Sequence, residues 1–220
     1  MSAAVAALAA VGGAVAALAW QPLEPLLAEH SEDAVEQPGW TRKITARPIV
    51  LLASALACGA VGLRYGATRG LVPALLLAFA LVGITAIDFR YRIIPNRITL
   101  ALVIAGVALG AALRFSDLPE LGLAAVGAGG FLLVAALLSP SGLGMGDVKL
   151  AFVLGLFLGE SAIVAIVAGL VSSALASAIL LLVHGREARK MHLALGPFLA
   201  LGGMLALLAG DDLIAWYTGG

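Results

Sequence analysis

Two aspartates stand next to apolar runs of this chain, where a carboxylate needs a partner or a task. Asp88 follows the charge-free run 70–87, and Asp147 lies shortly before the charge-free run 150–159. An ionised carboxylate that is partly removed from water is costly unless it is paired or hydrogen-bonded. If the fold brings the two together, repulsion keeps one protonated while the other ionises. Such a pair supplies a base that activates water and an acid that polarises a scissile carbonyl, without a metal.

Each aspartate also has a simpler explanation when it is taken alone. An aspartate at the start of a helix is usually an N-terminal cap, which is a sufficient role for Asp147. Asp88 precedes Arg90 and Arg92, so an ion pair at the membrane interface is a sufficient role there. The glycines of GLGMGD, residues 142–147, favour tight turning or close helix approach. The same stretch lacks the GK[ST] ending of a phosphate-binding loop.

Composition indicates the class of protein in which this chemistry would take place. The chain has 220 residues, of which 62% are hydrophobic and 12% charged, and its mean hydropathy is +1.08. These values are typical of a membrane protein. Thirteen Lys and Arg balance thirteen Asp and Glu, so no basic patch indicates nucleic acid as a partner. The single cysteine, Cys58, excludes an internal disulfide and a Cys-rich zinc cluster, and the three histidines lack metal-ligand spacing, so we expect no cofactor and no metal.

Charge-free runs divide the chain into apolar segments. Most of them reach or approach the roughly 20 residues that a helix needs to cross about 30 Å of hydrocarbon. Backbone groups in lipid must be satisfied within the segment, and no alternation typical of strands appears. The sequence therefore predicts an all-α fold, a polytopic membrane helix bundle of about eight transmembrane helices. The runs cover residues 1–23, 48–63, 70–87, 98–113, 121–146, 150–159, 161–185 and 191–210.

The helix ends near the two aspartates are predicted more closely. Run 150–159 spans only about 15 Å as a helix, too short to cross the bilayer alone. We expect its start to be recessed, with Asp147 below the membrane surface at the positive end of the helix. Asp88 is expected to end the third helix. Pro95 then fixes the approach of the chain, and Asn96 is expected to cap the fourth helix with its side chain.

Basic residues indicate which side of the membrane each loop occupies. The first, third, fifth and seventh loops contain ten Lys and Arg, and the other loops contain three. Because short cytoplasmic loops have an excess of these residues, the odd loops are predicted to be cytoplasmic and both termini to be outside. The first run ends in Ala-Leu-Ala, residues 17–19, as signal-peptidase sites do. It lacks a basic start, so a retained helix is favoured.

Three stretches taken together resemble the type IV prepilin peptidase family, the GxGD-type aspartic proteases of membranes. GMGDVKL, residues 144–150, is similar to the second-aspartate motif of that family, and DFRYRIIPN, residues 88–96, to the first. HLALGPFLALG, residues 192–202, is similar to the Gly-Pro-Phe segment that opens the last helix. The resemblance implies that Asp88 and Asp147 are the catalytic pair and act from the cytoplasmic side. The positions expected to support them are Gly144, Gly146, Lys149, Pro95, Asn96, Gly196 and Pro197.

What the resemblance implies is removal of a short basic leader from prepilins or pseudopilins, just before their apolar helix, at a prokaryotic plasma membrane with lipid around the enzyme. The chain then divides into residues 1–47, an N-terminal transmembrane helix with a short cytoplasmic linker, and residues 48–220, a membrane-embedded peptidase domain. Many relatives have paired Cys-x-x-Cys motifs in the first cytoplasmic loop together with a methyltransferase. Here the first loop contains no cysteine. We therefore expect a peptidase without methyltransferase activity.

Two other functions fit parts of the pattern. A proton-coupled secondary transporter also places acids within membrane helices, although usually near the midplane between repeated halves. Presenilin and signal-peptide-peptidase enzymes share the Gly-x-Gly-Asp motif, but this chain resembles them less, because the Ile-Pro-Asn that follows Asp88 fits the prepilin peptidase pattern. A secretion subunit that has lost activity is a third possibility, and the presence of both aspartates argues against it.

Overall fold

The computed structural model describes residues 2–20, 47–138, 143–184 and 194–219. Within these ranges the chain forms α-helices joined by short turns, two of which are 3₁₀ turns, Phe115–Asp117 and Gly159–Ser161. The predicted all-α class is confirmed. The helices are α1 Ser2–Trp20, α2 Arg47–Tyr65, α3 Leu71–Tyr91, α4 Asn96–Leu113, α5 Leu118–Leu138, α6 Met145–Leu158, α7 Ala162–His184 and α8 Gly196–Thr218.

Six segments of the described chain are long and apolar enough to cross a membrane, as expected of a multi-pass membrane protein. One of them, Met145–Val183, has 39 residues and contains both α6 and α7. The two helices are separated at Gly159, whose φ of 60° ends α6. The apolar part of α1, Ala3–Leu18, is slightly shorter than the other segments. The prediction of about eight helices therefore describes the architecture well.

Small residues bring neighbouring helices into close contact. On α2, Gly62 packs against Ala6 and Ala9 of α1 so tightly that a Cβ would lie 2.8 Å from the Ala6 Cα. On α6, Gly155 packs against the α5 backbone at Ala124. The thiol of Cys58 is buried between α1 and α2, consistent with a packing role. Close backbone approach is the usual way in which membrane helices associate, because lipid provides little hydrophobic drive.

The end of the bundle away from Asp88 is joined by polar contacts. Arg64 of α2 pairs with Asp212 of α8 at 3.0 Å and also donates to the carbonyl of Leu208. Ser161 is buried and donates a 2.6 Å hydrogen bond to Asp211. These contacts explain why α8 continues to Thr218, beyond the predicted end at residue 210. Charges end an apolar run but not a helix when other helices supply their partners.

Several predicted helix ends are wrong. The helix α3 continues to Tyr91 instead of ending at Asp88. The predicted run 121–146 is divided, because α5 ends at Leu138 and α6 begins at Met145. As a result α6 has 14 residues and spans about 21 Å, longer than the ten-residue run but still shorter than the hydrocarbon core. The linker predicted over residues 21–47 lies outside the described residues except for its last position, and the division of the chain at residue 47 stays a prediction.

Candidate active site

Asp88 lies in the last turn of α3, with its side chain only 5% exposed. The helix ends three residues later because Arg92 adopts the left-handed conformation, with φ of 54°, and donates its backbone N–H to the carbonyl of Asp88 at 2.9 Å. A residue with a Cβ pays about 1–2 kcal/mol for this conformation, so its surroundings must enforce it. The guanidinium of Arg92 acts electrostatically on the Asp88 carboxylate. The turn at Arg92 thus places a cation beside the first acid.

Asp147 is in the first turn of α6, as predicted. Its carboxylate oxygen Oδ2 accepts the backbone N–H of Gly144 at 3.2 Å, and its own N–H donates to the carbonyl of Gly144 at 3.1 Å. This reciprocal pair satisfies groups that a helix start leaves without an intrahelical partner. Asp147 is therefore not the N-cap residue itself, which is Gly144, but it completes the cap from the third position of the helix. A cap of this kind also fixes the side chain, which is what a reacting carboxylate requires.

Both acids line one cavity of about 260 Å³ between the end of α3, the start of α4 and the start of α6. They are near enough to interact electrostatically. Six of the nine sequence-predicted site residues lie around this space, all except Pro95, Gly196 and Pro197. The residues that line it are Asp88, Arg92, Ile93, Ile94, Asn96, Gly144, Met145, Gly146, Asp147 and Lys149.

Gly196 explains how α8 takes part in the site. It is buried at the start of α8, and its backbone N–H interacts with the Asp88 carboxylate. A Cβ at this position would collide with Oδ2 of Asp88 and would lie 3.1 Å from its Cγ. Pro197 follows within the first turn, where the absence of an N–H is harmless and the fixed φ suits a helix. The Gly-Pro pair therefore starts a helix directly against the first acid.

Ile94 connects the three parts of the site. It is buried in the extended segment between α3 and α4, where the following Pro95 restricts its backbone. A Cβ on Gly146 would lie 3.0 Å from Cβ of Ile94, and one on Gly196 would lie 3.4 Å from its Cδ1. Both glycines thus leave room for the same side chain. This contact holds the loop after Asp88 against the starts of α6 and α8.

Asn96 does not cap α4 as predicted. The capping position is Pro95, and Asn96 is the first residue of the helix. Its side-chain oxygen Oδ1 instead accepts a 2.7 Å hydrogen bond from Nζ of Lys149 on α6. The lysine satisfies the amide oxygen more strongly than a neutral backbone N–H would, because its donor is charged. The bond joins the two aspartate-containing stretches.

Four lining residues were not predicted from the sequence: Arg92, Ile93, Ile94 and Met145. The packing of Ile94 could have been predicted, since an apolar residue between arginines and a proline in a loop is usually buried against another part of the protein. The left-handed turn at Arg92 had none, because this conformation depends on the surrounding fold. Among the described residues, no cluster of three or more His, Cys, Asp or Glu side chains could hold a metal ion. What the cavity offers chemically is acid and base catalysis by two carboxylates, each fixed by a backbone N–H.

Comparison with known proteins identifies the family to which this chain is similar. The model of the type IV leader peptidase family matches residues 75–186, a region that contains both aspartates. The prepilin leader peptidase/N-methyltransferase of Aeromonas hydrophila is 34% identical over 190 residues, which cover 81% of this chain and 64% of the relative. The protein of the same name from Bacillus subtilis strain 168 is 34% identical over 175 residues, which cover 77% of this chain and 68% of the relative. No solved structure gives a significant match. The chain thus spans about two thirds of the length of these relatives.

Proposed function

Because the chain belongs to the type IV leader peptidase family, we propose that it is a membrane endopeptidase that removes the leader from prepilin or pseudopilin substrates. Asp88 and Asp147 act as its catalytic pair. The observation that carries the proposal is that both carboxylates line one cavity at the ends of membrane helices and interact there. The names of the relatives, which include prepilin leader peptidase, support the substrate class.

The proposed reaction follows the aspartic mechanism. The ionised carboxylate takes a proton from a water molecule, whose oxygen attacks the carbonyl carbon of the scissile peptide bond. The protonated carboxyl group gives its proton to the carbonyl oxygen, so the tetrahedral intermediate is neutral. Collapse of this intermediate breaks the C–N bond. The leaving nitrogen receives a proton from the carboxyl group that was the base, and the other carboxylate takes a proton from a hydroxyl group of the intermediate, which restores the starting dyad. Carboxylates fixed by the N–H groups of Gly144 and Gly196 need little reorganisation during these steps.

The decisive experiment compares cleavage of a co-expressed prepilin by the wild type, Asp88→Asn and Asp147→Asn. Each amide keeps the shape of the acid but neither takes nor gives the proton, so we expect the rate to fall by about 10³-fold or more. Glu160→Gln is the matched control, since this exposed acid lies at the other end of α6 and should leave the rate unchanged. Normal processing by either aspartate variant would defeat the assignment.

The same products test the second part of the proposal, that the chain lacks methyltransferase activity. The names of the relatives include N-methyltransferase. The sequence from residue 1 to residue 57 contains no cysteine, whereas the resemblance associates that activity with paired cysteines in the first loop. Mass spectrometry of the processed pilin is expected to give an unmethylated amino terminus when this chain is the only such enzyme present. A methylated terminus would overturn this part alone.

The cavity is proposed to face the cytoplasm. Arg92, Arg97 and Lys149 all lie at this end of the bundle, and basic residues of short loops are retained on the cytoplasmic side. Replacement of the exposed Arg97 by cysteine gives a test, because the native Cys58 is buried. A membrane-impermeant thiol reagent should label this variant in inverted membrane vesicles and not in intact cells. Labelling in intact cells would reverse the orientation.

A further inference from the structure

A second groove lies next to the dyad cavity, between α4 and α6. It has a volume of about 340 Å³. One wall is formed by Thr99, Leu100 and Val103, and the other by Phe152. Leu100 is 61% exposed, so the groove opens sideways toward the lipid that surrounds the bundle. Apart from Thr99, the polar side chains along it are Asn96 and Lys149 at one end.

The two helices that form the groove are in contact beyond each of its ends. At Gly106 of α4, a Cβ would lie 2.8 Å from side-chain atoms of both Leu156 and Phe157 of α6. Beside the dyad cavity, the hydrogen bond between Lys149 and Asn96 joins the same helices. Phe152 is held in the groove wall by α5, where it packs closely on Gly129. A Cβ added to Gly129 would lie only 3.0 Å from the Cβ of Phe152. The space is built into the helix packing.

The groove adjoins the dyad cavity. Asn96 and Lys149 line both spaces, and the 2.7 Å hydrogen bond between them marks the boundary. Two larger grooves, of about 560 Å³ beside α1 and about 510 Å³ between α5 and α7, share no lining residue with the dyad cavity. Of these three grooves, only the one between α4 and α6 shares lining residues with the dyad cavity.

We propose that the groove between α4 and α6 holds the membrane-inserted apolar helix of the substrate, next to the bond that is cleaved. The inference rests on the proposed function. From Asn96 to Val103 the wall is about 10 Å long, enough for two turns of a helix. Its polarity changes in the order that such a substrate requires, from hydrogen-bonding groups beside the acids to Leu100, Val103 and Phe152 further in. Apolar side chains of the substrate helix can move from lipid into the groove without burying a polar group. The scissile bond, at the end of that helix, then lies beside the dyad.

Site-directed filling of the groove tests the proposal. Leu100→Trp and Val103→Trp each add an aromatic ring to the wall. We compare kcat/KM for a membrane-anchored prepilin with kcat/KM for a soluble peptide that contains the same cleavage sequence without the apolar helix. The ratio of the two is expected to fall about tenfold or more, since each displaced apolar side chain of the substrate loses the burial of a leucine-sized group. Leu123→Trp on α5, which is 75% exposed in another groove, is the matched control and should leave the ratio unchanged.

Crosslinking provides a second measurement that does not need turnover. A photoreactive residue at position 100 in an Asp147→Asn background should crosslink to the apolar helix of the prepilin, and one at position 123 should not. An unchanged kcat/KM ratio in both tryptophan variants, or crosslinks to lipid alone, would show that lipid occupies the groove and would overturn the inference. Failure of the proposed function has a different signature, because the wild type would then cleave neither the prepilin nor the soluble peptide.

Discussion

Replacement of Gly196 by alanine is the sharpest test of how the site is built. The glycine is the first residue of α8, in a helical conformation that alanine adopts without strain. The added methyl group would collide with Oδ2 of Asp88 and would lie 3.4 Å from Cδ1 of Ile94. The variant therefore changes one contact of the first acid and leaves its chemistry intact.

The size of the effect follows from the geometry. Ordinary contact with a Cβ begins at 3.4 Å, so Asp88 or the start of α8 must move by about 1 Å. A displacement of about 1 Å at a reacting group costs about a hundredfold in rate. Crowding of this kind costs about 1–3 kcal/mol in stability, which lowers the Tm of a chain of this size by only a few degrees for each kcal/mol. We expect kcat to fall about a hundredfold in a protein that remains folded.

The assay is cleavage of a saturating prepilin by purified enzyme, with the Tm measured on the same preparation. Gly130→Ala is the matched control, because nothing lies within 4 Å of a Cβ at that position of α5. Its kcat should equal that of the wild type. If Gly196→Ala folded normally and cleaved at the wild-type rate, the close approach of α8 to Asp88 would be irrelevant to catalysis and the reasoning would be refuted.

Two further predictions concern groups remote from the cavity. Ser161→Ala removes the 2.6 Å hydrogen bond to Asp211 and should lower the free energy of unfolding by about 1–3 kcal/mol without changing kcat; an unchanged midpoint of denaturant unfolding would contradict this. The hydrogen bond from Ser116 and the charge of Arg114 hold the pKa of Asp117 below its ordinary value of 3.8. Because the folded pKa is the lower one, this contribution to stability is present above pH 3.8 and is lost as the pH falls through the folded pKa. Carboxyl NMR should give that lowered midpoint, and Ser116→Ala should raise it.

The sequence predicts the class of fold and the location of the acids for physical reasons. Charge-free runs can be counted directly, and their lengths match the thickness of a bilayer. Asp88 and Asp147 stand out because a carboxylate beside an apolar run is costly without a reason. The transporter alternative used the same argument, and it gains no support from relatives that are named as leader peptidases.

The details that the sequence does not predict depend on contacts between distant segments. The helix α8 passes through Asp211 and Asp212 because Ser161 and Arg64 hold them. Asn96 gives up its expected capping role because Lys149, 53 positions away, reaches its side chain. Local helix propensity does not depend on partners that are distant in the sequence, so helix ends and side-chain roles are the least predictable features.

The side chain of Ile94 has a consequence for how this site can change. It touches the positions of Gly146 and Gly196 at once, so the loop after Asp88 and the starts of α6 and α8 share a single point of support. None of the three can swing away alone without opening a void at that point. A rearrangement that admits a polypeptide must then move the loop together with both helix starts, and a bulkier residue at Gly146 calls for a smaller one at position 94. The same close packing around Ile94 therefore limits both the motion of the site and the substitutions that it accepts.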